Sequence, residues 1–168
     1  MQEYRKILKQ LEKTYAPTLL QDYGLVCRQM QYSDEDVALY VAKKHWTNRF
    51  DHKRENTIGV FFCVWVSPEL LKKREFAYNI HSLKLRSLPG YRLASREFAT
   101  EFRKLVKSRV TTWPGIRMDY GPLTLLEGRD TCELEDFYNR AEQRILDFVV
   151  IHKEIDKLLD ASARGLVE

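Results

Sequence analysis

The stretch Ile58-Gly-Val-Phe-Phe-Cys-Val-Trp-Val66 decides the fold of this chain. In an extended backbone, Phe62 and its even-numbered neighbours point to one side, while Phe61, Cys63 and Trp65 point to the other. Both sides are apolar, which is typical of a strand that is covered on both faces in the middle of a sheet. The run has nine residues, whereas a membrane-spanning helix needs about 20. We therefore expect a central strand and no membrane partner.

Apolar periodicity and turn signals predict the elements around this strand. Helical spacing predicts an N-terminal helix over 3–15 that ends at Ala16-Pro17. Ser33 is typical of a helix N-cap because three carboxylates follow it, and a second helix is predicted from there through Val41 and beyond. The other predicted elements are a strand over 24–32, a helical turn at 67–71, a strand over 76–86, a helix from Ser95 to a break at 113–115 and a long helix over 134–159. A further strand is predicted from Ile116, which either ends at Gly121-Pro122 or bulges there and resumes through Leu123 to Leu126.

The predicted order of elements is α, then β-α-β-β-α-β, then α. Its middle part is the ferredoxin-like order, in which two helices cover one face of a four-stranded antiparallel sheet. The N-terminal helix and the long C-terminal helix are additions to it, and the two-sided apolar character of 58–66 favours cover on both faces. A plain antiparallel sheet with helices on one side is the alternative. With 168 residues and no visible linker, we expect a single α+β domain over 1–168.

Composition and cysteine content indicate a folded intracellular protein. Hydrophobic residues make up 44% of the chain and charged residues 31%, a balance typical of globular domains. The first residues are charged and lack the apolar stretch of a secretory signal, which predicts a cytoplasmic location. Three cysteines without a CxxC pair argue against a disulfide framework or a thiolate zinc site. We expect Cys63 to be a buried, inert thiol.

Charge is unevenly distributed along the chain. Residues 67–117 hold 12 Lys and Arg against 4 Asp and Glu, while residues 118–168 hold 6 against 12. Basic groups beside aromatic rings suit nucleic acid, because cations contact phosphates and rings stack on bases. The alternative is a solvated surface that the acidic final helix neutralises within the same fold. The candidate binding residues are Lys84, Arg86, Arg92, Arg96, Arg103 and Lys107.

His81 has the best surroundings for chemistry among the four histidines. It lies in a predicted strand with polar neighbours and would serve as a general base if Asp119 or Glu127 lay beside it. The interpretation that we favour is a half-buried strand histidine satisfied by a backbone carbonyl, since no Ser or Cys nucleophile lies in a recognisable elbow.

Metal and cofactor signatures are weak or missing. His45 and His52 are seven residues apart, which is a loose candidate because a metal site needs three or four converging ligands. His152 lies on the apolar stripe of the final helix and is expected to be a hydrogen-bonded core residue. The sequence has no GxGxxG, GxxxxGK[ST] or HExxH motif, so we predict no cofactor and no metal.

These patterns favour a non-enzymatic binding or interaction module that contacts nucleic acid through the basic 67–117 segment. The alternative is a small hydrolase or nuclease that uses His81 with Asp119 or Glu127. A third expectation is self-association as a homo-oligomer. The final helix has apolar residues for more turns than a small sheet covers, so Ile151 to Leu159 would pack on a second copy.

Overall fold

Five strands and four helices form the part of the chain that a computed structural model describes, which comprises residues 1–31, 33, 35–51 and 56–163. Among these residues, no helix combines the length and the hydropathy that crossing a bilayer requires. Short 3₁₀ turns lie at Lys44–Trp46 and Leu85–Ser87. The elements in chain order are α1 (Gln2–Tyr23), β1 (Leu25–Gln31), β2 (Val37–Lys43), β3 (Gly59–Val66), α2 (Pro68–Lys72), β4 (Glu75–Leu83), α3 (Ser95–Val110), β5 (Thr124–Thr131) and α4 (Leu134–Ala163).

The strands form one antiparallel sheet in the order β1-β2-β3-β4-β5, so each strand pairs with its neighbours in sequence. The α+β class, the antiparallel sheet and the two terminal helices are confirmed. The four-stranded ferredoxin-like order is not, because the sheet has five strands in a simple meander. β3 is the central strand, as predicted, and Val60, Phe62 and Val64 are fully buried in it.

β2 occupies the place where the sequence predicts a helix. Its residues are buried and largely apolar from Val37 to Ala42, so they satisfy a helical period and an extended one equally, and pairing with strands on both sides selects the extended form. The Ser33 hydroxyl accepts hydrogen bonds from the amides of Glu35 (3.3 Å) and Asp36 (3.2 Å). The predicted helix cap is therefore a side-chain turn between β1 and β2.

α1 continues past Pro17, where the sequence predicts its end. Proline removes one helical hydrogen-bond donor, but the following turn buries Leu19 in the core, and this burial offsets the loss. The helix ends instead at Gly24, which has φ 70° and donates its amide to the Leu20 carbonyl (3.0 Å).

β5 begins later in the chain than predicted, at Thr124 rather than Ile116. The segment 116–120 contributes one isolated bridge, in which Arg117 pairs with Glu127 along the outer edge of β5. Gly128 fixes the position of β5, because a Cβ atom there would lie 2.0 Å from Cζ of the buried Tyr78 side chain. The Tyr78 ring lies over this position of β5 and leaves no space for a side chain, so the position requires glycine.

β4 and the capping residues near it differ from the sequence prediction in detail. β4 ends at Leu83, three residues early, because Lys84 adopts a left-handed conformation with φ 48° that leaves the sheet. Ser67 caps α2 as its sequence indicates, accepting a hydrogen bond from the Leu70 amide (3.2 Å). Ser95 is the first helical residue of α3 rather than its cap.

The three long helices form a layer on one face of the sheet. α4 lies across this face, with the Phe148 ring stacked on Phe62 at 4.6 Å and the Phe137 ring edge-on to Phe76. α1 and α3 flank α4, through a Tyr15–Glu142 hydrogen bond (2.6 Å) and an Arg109–Glu154 ion pair (2.9 Å), respectively. The prediction that helices cover both faces of the sheet is therefore wrong. The alternative, an antiparallel sheet with helices on one side, is correct.

The opposite face of the sheet is covered without a long helix. Phe61, Cys63 and Asn79 point to this side and are buried. The guanidinium of Arg49 packs over the Tyr40 ring at 4.6 Å from its centre, and Arg49 is itself buried. A cation on an aromatic face thus replaces helix packing at this position.

The core side of the distal turns of α4 is buried within the single chain. Ile151, Ile155 and Leu159 have no exposed surface. The apolar surface on which the expectation of self-association depends is therefore already covered, and these residues supply no reason to expect a second copy.

Candidate nucleic-acid interface

One flank of α3 is cationic. Arg96, Arg103 and Lys107 follow each other at spacings of seven and four, so they lie on one side of the helix with Thr100 between them. The core side of α3 is formed by Phe98, Ala99, Phe102, Val106 and Val110. The cationic flank faces the loop 116–122, which leads into β5.

Arg103 holds this loop in place. Its Nε donates to the Leu125 carbonyl (3.0 Å), and its Nη2 donates to the carbonyls of Tyr120 (2.9 Å), Gly121 (3.0 Å) and Thr124 (2.9 Å). A planar guanidinium with several fixed donors suits such convergent acceptors. Arg103 is consequently a positioning residue, and its charge adds to the local potential.

A cavity of about 300 Å³ lies between this flank and the loop. We call it the basic groove; its lining includes Arg96, Thr100, Arg103, Tyr120, Gly121 and Pro122. Next to the groove, the guanidinium of Arg117 stacks on the Tyr120 ring with Cζ 5.2 Å from the ring centre. Two arginines and a partly exposed aromatic ring therefore converge on one concavity.

Acidic residues neutralise part of the basic 67–117 segment. Arg109 pairs with Glu154 of α4 (2.9 Å), so the final helix acts at this position as the alternative interpretation expected. Arg74 pairs with Glu133, which precedes α4 (3.2 Å). Lys104 and Arg117 pair with carboxylates nearby in sequence. Within the described ranges, neither Arg96 nor Lys107 has a carboxylate within 4.0 Å.

The six predicted binding residues divide into two groups. Arg96, Arg103 and Lys107 share the flank of α3, and the first two line the groove. The other three are exposed in the connection from β4 to α3, outside the lining of the groove: Lys84, Arg86 and Arg92. Lys72 and Lys73 lie at the opposite end of β4.

His81, Asp119 and Glu127 do not form a catalytic arrangement in the described structure. His81 Nδ1 faces the Leu123 carbonyl (3.4 Å) and the Thr124 hydroxyl (3.3 Å), as expected of a carbonyl-satisfied strand residue. Burial lowers the pKa of His81, and the hydrogen bond to the Leu123 carbonyl and the charge of Glu127 act in the opposite direction. The Asp119 carboxylate accepts two hydrogen bonds from an arginine, which lower its pKa, and no hydrogen bond joins the three candidates among the residues that can be described.

The remaining histidines and the cysteines have structural surroundings. His45 Nε2 lies 3.6 Å from Asp156, and His52, its predicted metal-binding companion, is outside the described residues. Over the ranges that the structure covers, no group of three or more His, Cys, Asp or Glu side chains could hold a metal ion. His152 is buried and its Nδ1 contacts the Val149 carbonyl, as predicted. Cys63 is buried, as predicted, and its thiol donates to Asn79 Oδ1 at 2.8 Å.

Sequence patterns missed two residues with functional potential. Tyr120 was expected in a strand, and only the following Gly121-Pro122 turn indicates that its ring could leave the sheet. Arg144 lies on the buried side of α4 together with Phe137, Ala141 and Phe148. An arginine at a core position of an amphipathic helix is the signal that would have identified it.

The fold and the groove define an α+β protein with a five-stranded antiparallel meander and a cationic site beside an aromatic ring. Comparisons with protein-family models, with curated proteins and with solved structures find no match for this chain. What the chain does must therefore follow from its own side chains.

Proposed function

We propose that the protein is a non-enzymatic nucleic-acid-binding module whose contact surface is the basic groove with the adjoining flank of α3. The observation that supports this most directly is the convergence of Arg96, Arg103 and Tyr120 on a single cavity of about 300 Å³. Single-stranded nucleic acid is the form that fits best, because its bases are free to stack on an aromatic ring while cations follow the backbone.

The charges on the flank support contact with phosphates. Arg96 and Lys107 are exposed and have no carboxylate partner in the described structure, so their charges face solvent without compensation. When such side chains contact phosphates, they displace the counterions condensed on the nucleic acid, which makes binding depend on salt. Arg103 adds a third charge that is fixed to the protein by its contacts with the loop.

Tyr120 supports contact with a base. One face of its ring contacts the Arg117 guanidinium, and the residue is part of the lining of the groove. Stacking of a base on an aromatic side chain contributes about 1–3 kcal/mol and tolerates different bases. The groove thus predicts binding with little sequence preference.

Titration of a fluorescently labelled single-stranded oligonucleotide at several salt concentrations tests the proposal. Arg96→Ala and Lys107→Ala should each reduce the slope of log K against log salt by about 0.7, since each removes one phosphate contact. Tyr120→Ala should weaken binding by about 1–3 kcal/mol and leave this slope unchanged. Lys72→Ala is the matched control, because it removes one charge at the far end of the sheet.

Two outcomes would contradict nucleic-acid binding by the groove. One is the absence of salt-sensitive binding to single strands at low ionic strength. The other is an equal effect of Lys72→Ala and Lys107→Ala, which would assign binding to overall charge rather than to the flank of α3. A labelled duplex of the same length tests the preference for single strands.

A further inference from the structure

A second cavity lies on the other side of α3, where its C-terminal end meets α4. Its volume is about 230 Å³, and its lining includes Arg109, Thr112, Trp113, Arg144, Asp147 and Val150. None of these residues lines the basic groove. We call it the Arg144 cavity.

Arg144 has hydrogen-bonding capacity that the described structure leaves unused. The residue is 8% exposed, and its Nη2 pairs with Asp147 Oδ2 at 3.2 Å. Its Nε and Nη1 are buried and have no hydrogen-bond partner among the described residues. The Tyr78 ring lies 5.6 Å from Cζ, and the ring and its hydroxyl together stabilise the charge. Buried donors without acceptors are rare in folded proteins and point to a missing partner.

The rest of the lining has the chemistry of an anion site. Arg109 brings a second guanidinium, although its Nη2 already donates to Glu154 Oε1 at 2.9 Å. Thr112 adds a hydroxyl from an exposed position. Among the described lining residues, Asp147 carries the only carboxylate, and Glu154, which pairs with Arg109, lies outside this lining. Planar guanidinium donors match the oxygen pairs of carboxylates and phosphates.

We propose that the Arg144 cavity binds a small oxyanion, in which two oxygens accept the N–H groups of Arg144 that now lack a partner. Because Nε and Nη1 have almost no accessible surface, the guanidinium turns toward the cavity on binding and exchanges its contact with the Tyr78 ring for the anion. Arg109 and Thr112 complete the set of donors. Carboxylates and phosphates share this chemistry, and the two sources are separated by the choice of probe.

Trp113 provides the reporter for the experiment because it lines the cavity. Spectra of protein labelled with ¹⁵N in tryptophan and arginine are recorded during titration with sodium phosphate, sodium sulfate or sodium acetate, and with sodium chloride at matched ionic strength. We expect saturable shifts of the Trp113 indole and Arg144 Nε–H signals with at least one oxyanion and not with chloride. Comparing the affinity for phosphate and sulfate with the affinity for acetate then identifies the class of ligand.

Two variants make the test specific. Arg144→Met keeps the length of the side chain, and Thr112→Val removes one hydroxyl at an exposed position. Each should weaken oxyanion binding about tenfold or more, the loss expected for a hydrogen bond with a charged partner. Thr100→Val is the control, since Thr100 lines the basic groove instead. Shifts that chloride reproduces, or binding that neither Arg144→Met nor Thr112→Val weakens, would overturn the assignment. Oligonucleotide binding by the basic groove is measured separately, so the proposal for the groove and the proposal for the Arg144 cavity can be refuted independently.

Discussion

Replacing Arg103 by methionine tests whether one side chain orders the loop that leads into β5. Arg103 donates four hydrogen bonds to backbone carbonyls, three of them from Nη2, which has only two hydrogens to share. The substitution therefore removes about three full bonds from a charged donor, each worth about 1.5–3 kcal/mol net. Water can bond to the exposed carbonyls in the variant and so recovers part of this free energy. The methionine side chain also retains the packing of the apolar stem of Arg103. We expect a loss of about 2–4 kcal/mol in the free energy of unfolding.

Urea denaturation followed by circular dichroism measures this loss. With a slope of about 2 kcal/mol per molar urea, the middle of the usual range, the midpoint should fall by about 1–2 M. Lys104→Met is the control one position along α3, where the exposed pair with Glu101 should contribute less than about 0.5 kcal/mol. If Arg103→Met unfolds within about 0.5 kcal/mol of this control, the hydrogen bonds to the loop have no net value and the reasoning fails.

Three further perturbations test the core. Gly128→Ala places a methyl group 2.0 Å from Tyr78 Cζ and should lower the free energy of unfolding, measured by thermal denaturation, by about 3 kcal/mol or more. Gly121→Ala is the control, because a Cβ there has nothing within 4 Å and the loss should be less than about 1 kcal/mol. Equal losses for the two variants would contradict the contact between Gly128 and the Tyr78 ring. Burial lowers the pKa of His81 and His152, so unfolded imidazoles bind more protons, and unfolding free energy should fall as pH drops below about 6.5. His152→Gln should make this decline shallower, and an unchanged slope would refute the assignment. Thiol reagents should label no cysteine in the native protein and three in urea, because burial raises the pKa of all of them: Cys27 (to about 12), Cys63 and Cys132 (to about 11).

Where a residue pattern has one physical solution, the sequence predicts the element correctly. β3 is recognisable because an apolar run bounded by turn signals fits a covered strand, and α4 because its apolar period persists over 30 residues. β2 could not be distinguished in this way. A hydroxyl that accepts hydrogen bonds from the amides two and three residues ahead occurs both at helix caps and in turns. The Ser33 hydroxyl lies in a turn.

The candidate site was predictable in composition and not in arrangement. The excess of cations in 67–117 indicated a charged surface, but whether a cation is free depends on partners far away in sequence. Arg109 is paired because α4 brings Glu154 beside it, whereas Lys107, two residues earlier, is not paired with a described carboxylate. The approach of Tyr120 to Arg96 depends on the loop that Arg103 holds, which is a tertiary contact without a local signal.

The order of the strands in the sheet has a consequence for folding during synthesis on the ribosome. β1 to β4 pair with their sequence neighbours, so they can assemble as they emerge, while the helix that shields Phe62 and Phe76 is synthesised after all five strands. At about 5–20 residues per second, the roughly 80 residues from the end of β4 to the end of α4 take roughly 4–16 s to synthesise. During those seconds the nascent sheet presents an unshielded aromatic face, which is the kind of surface that holdase chaperones recognise. Docking of α4 ends that exposure.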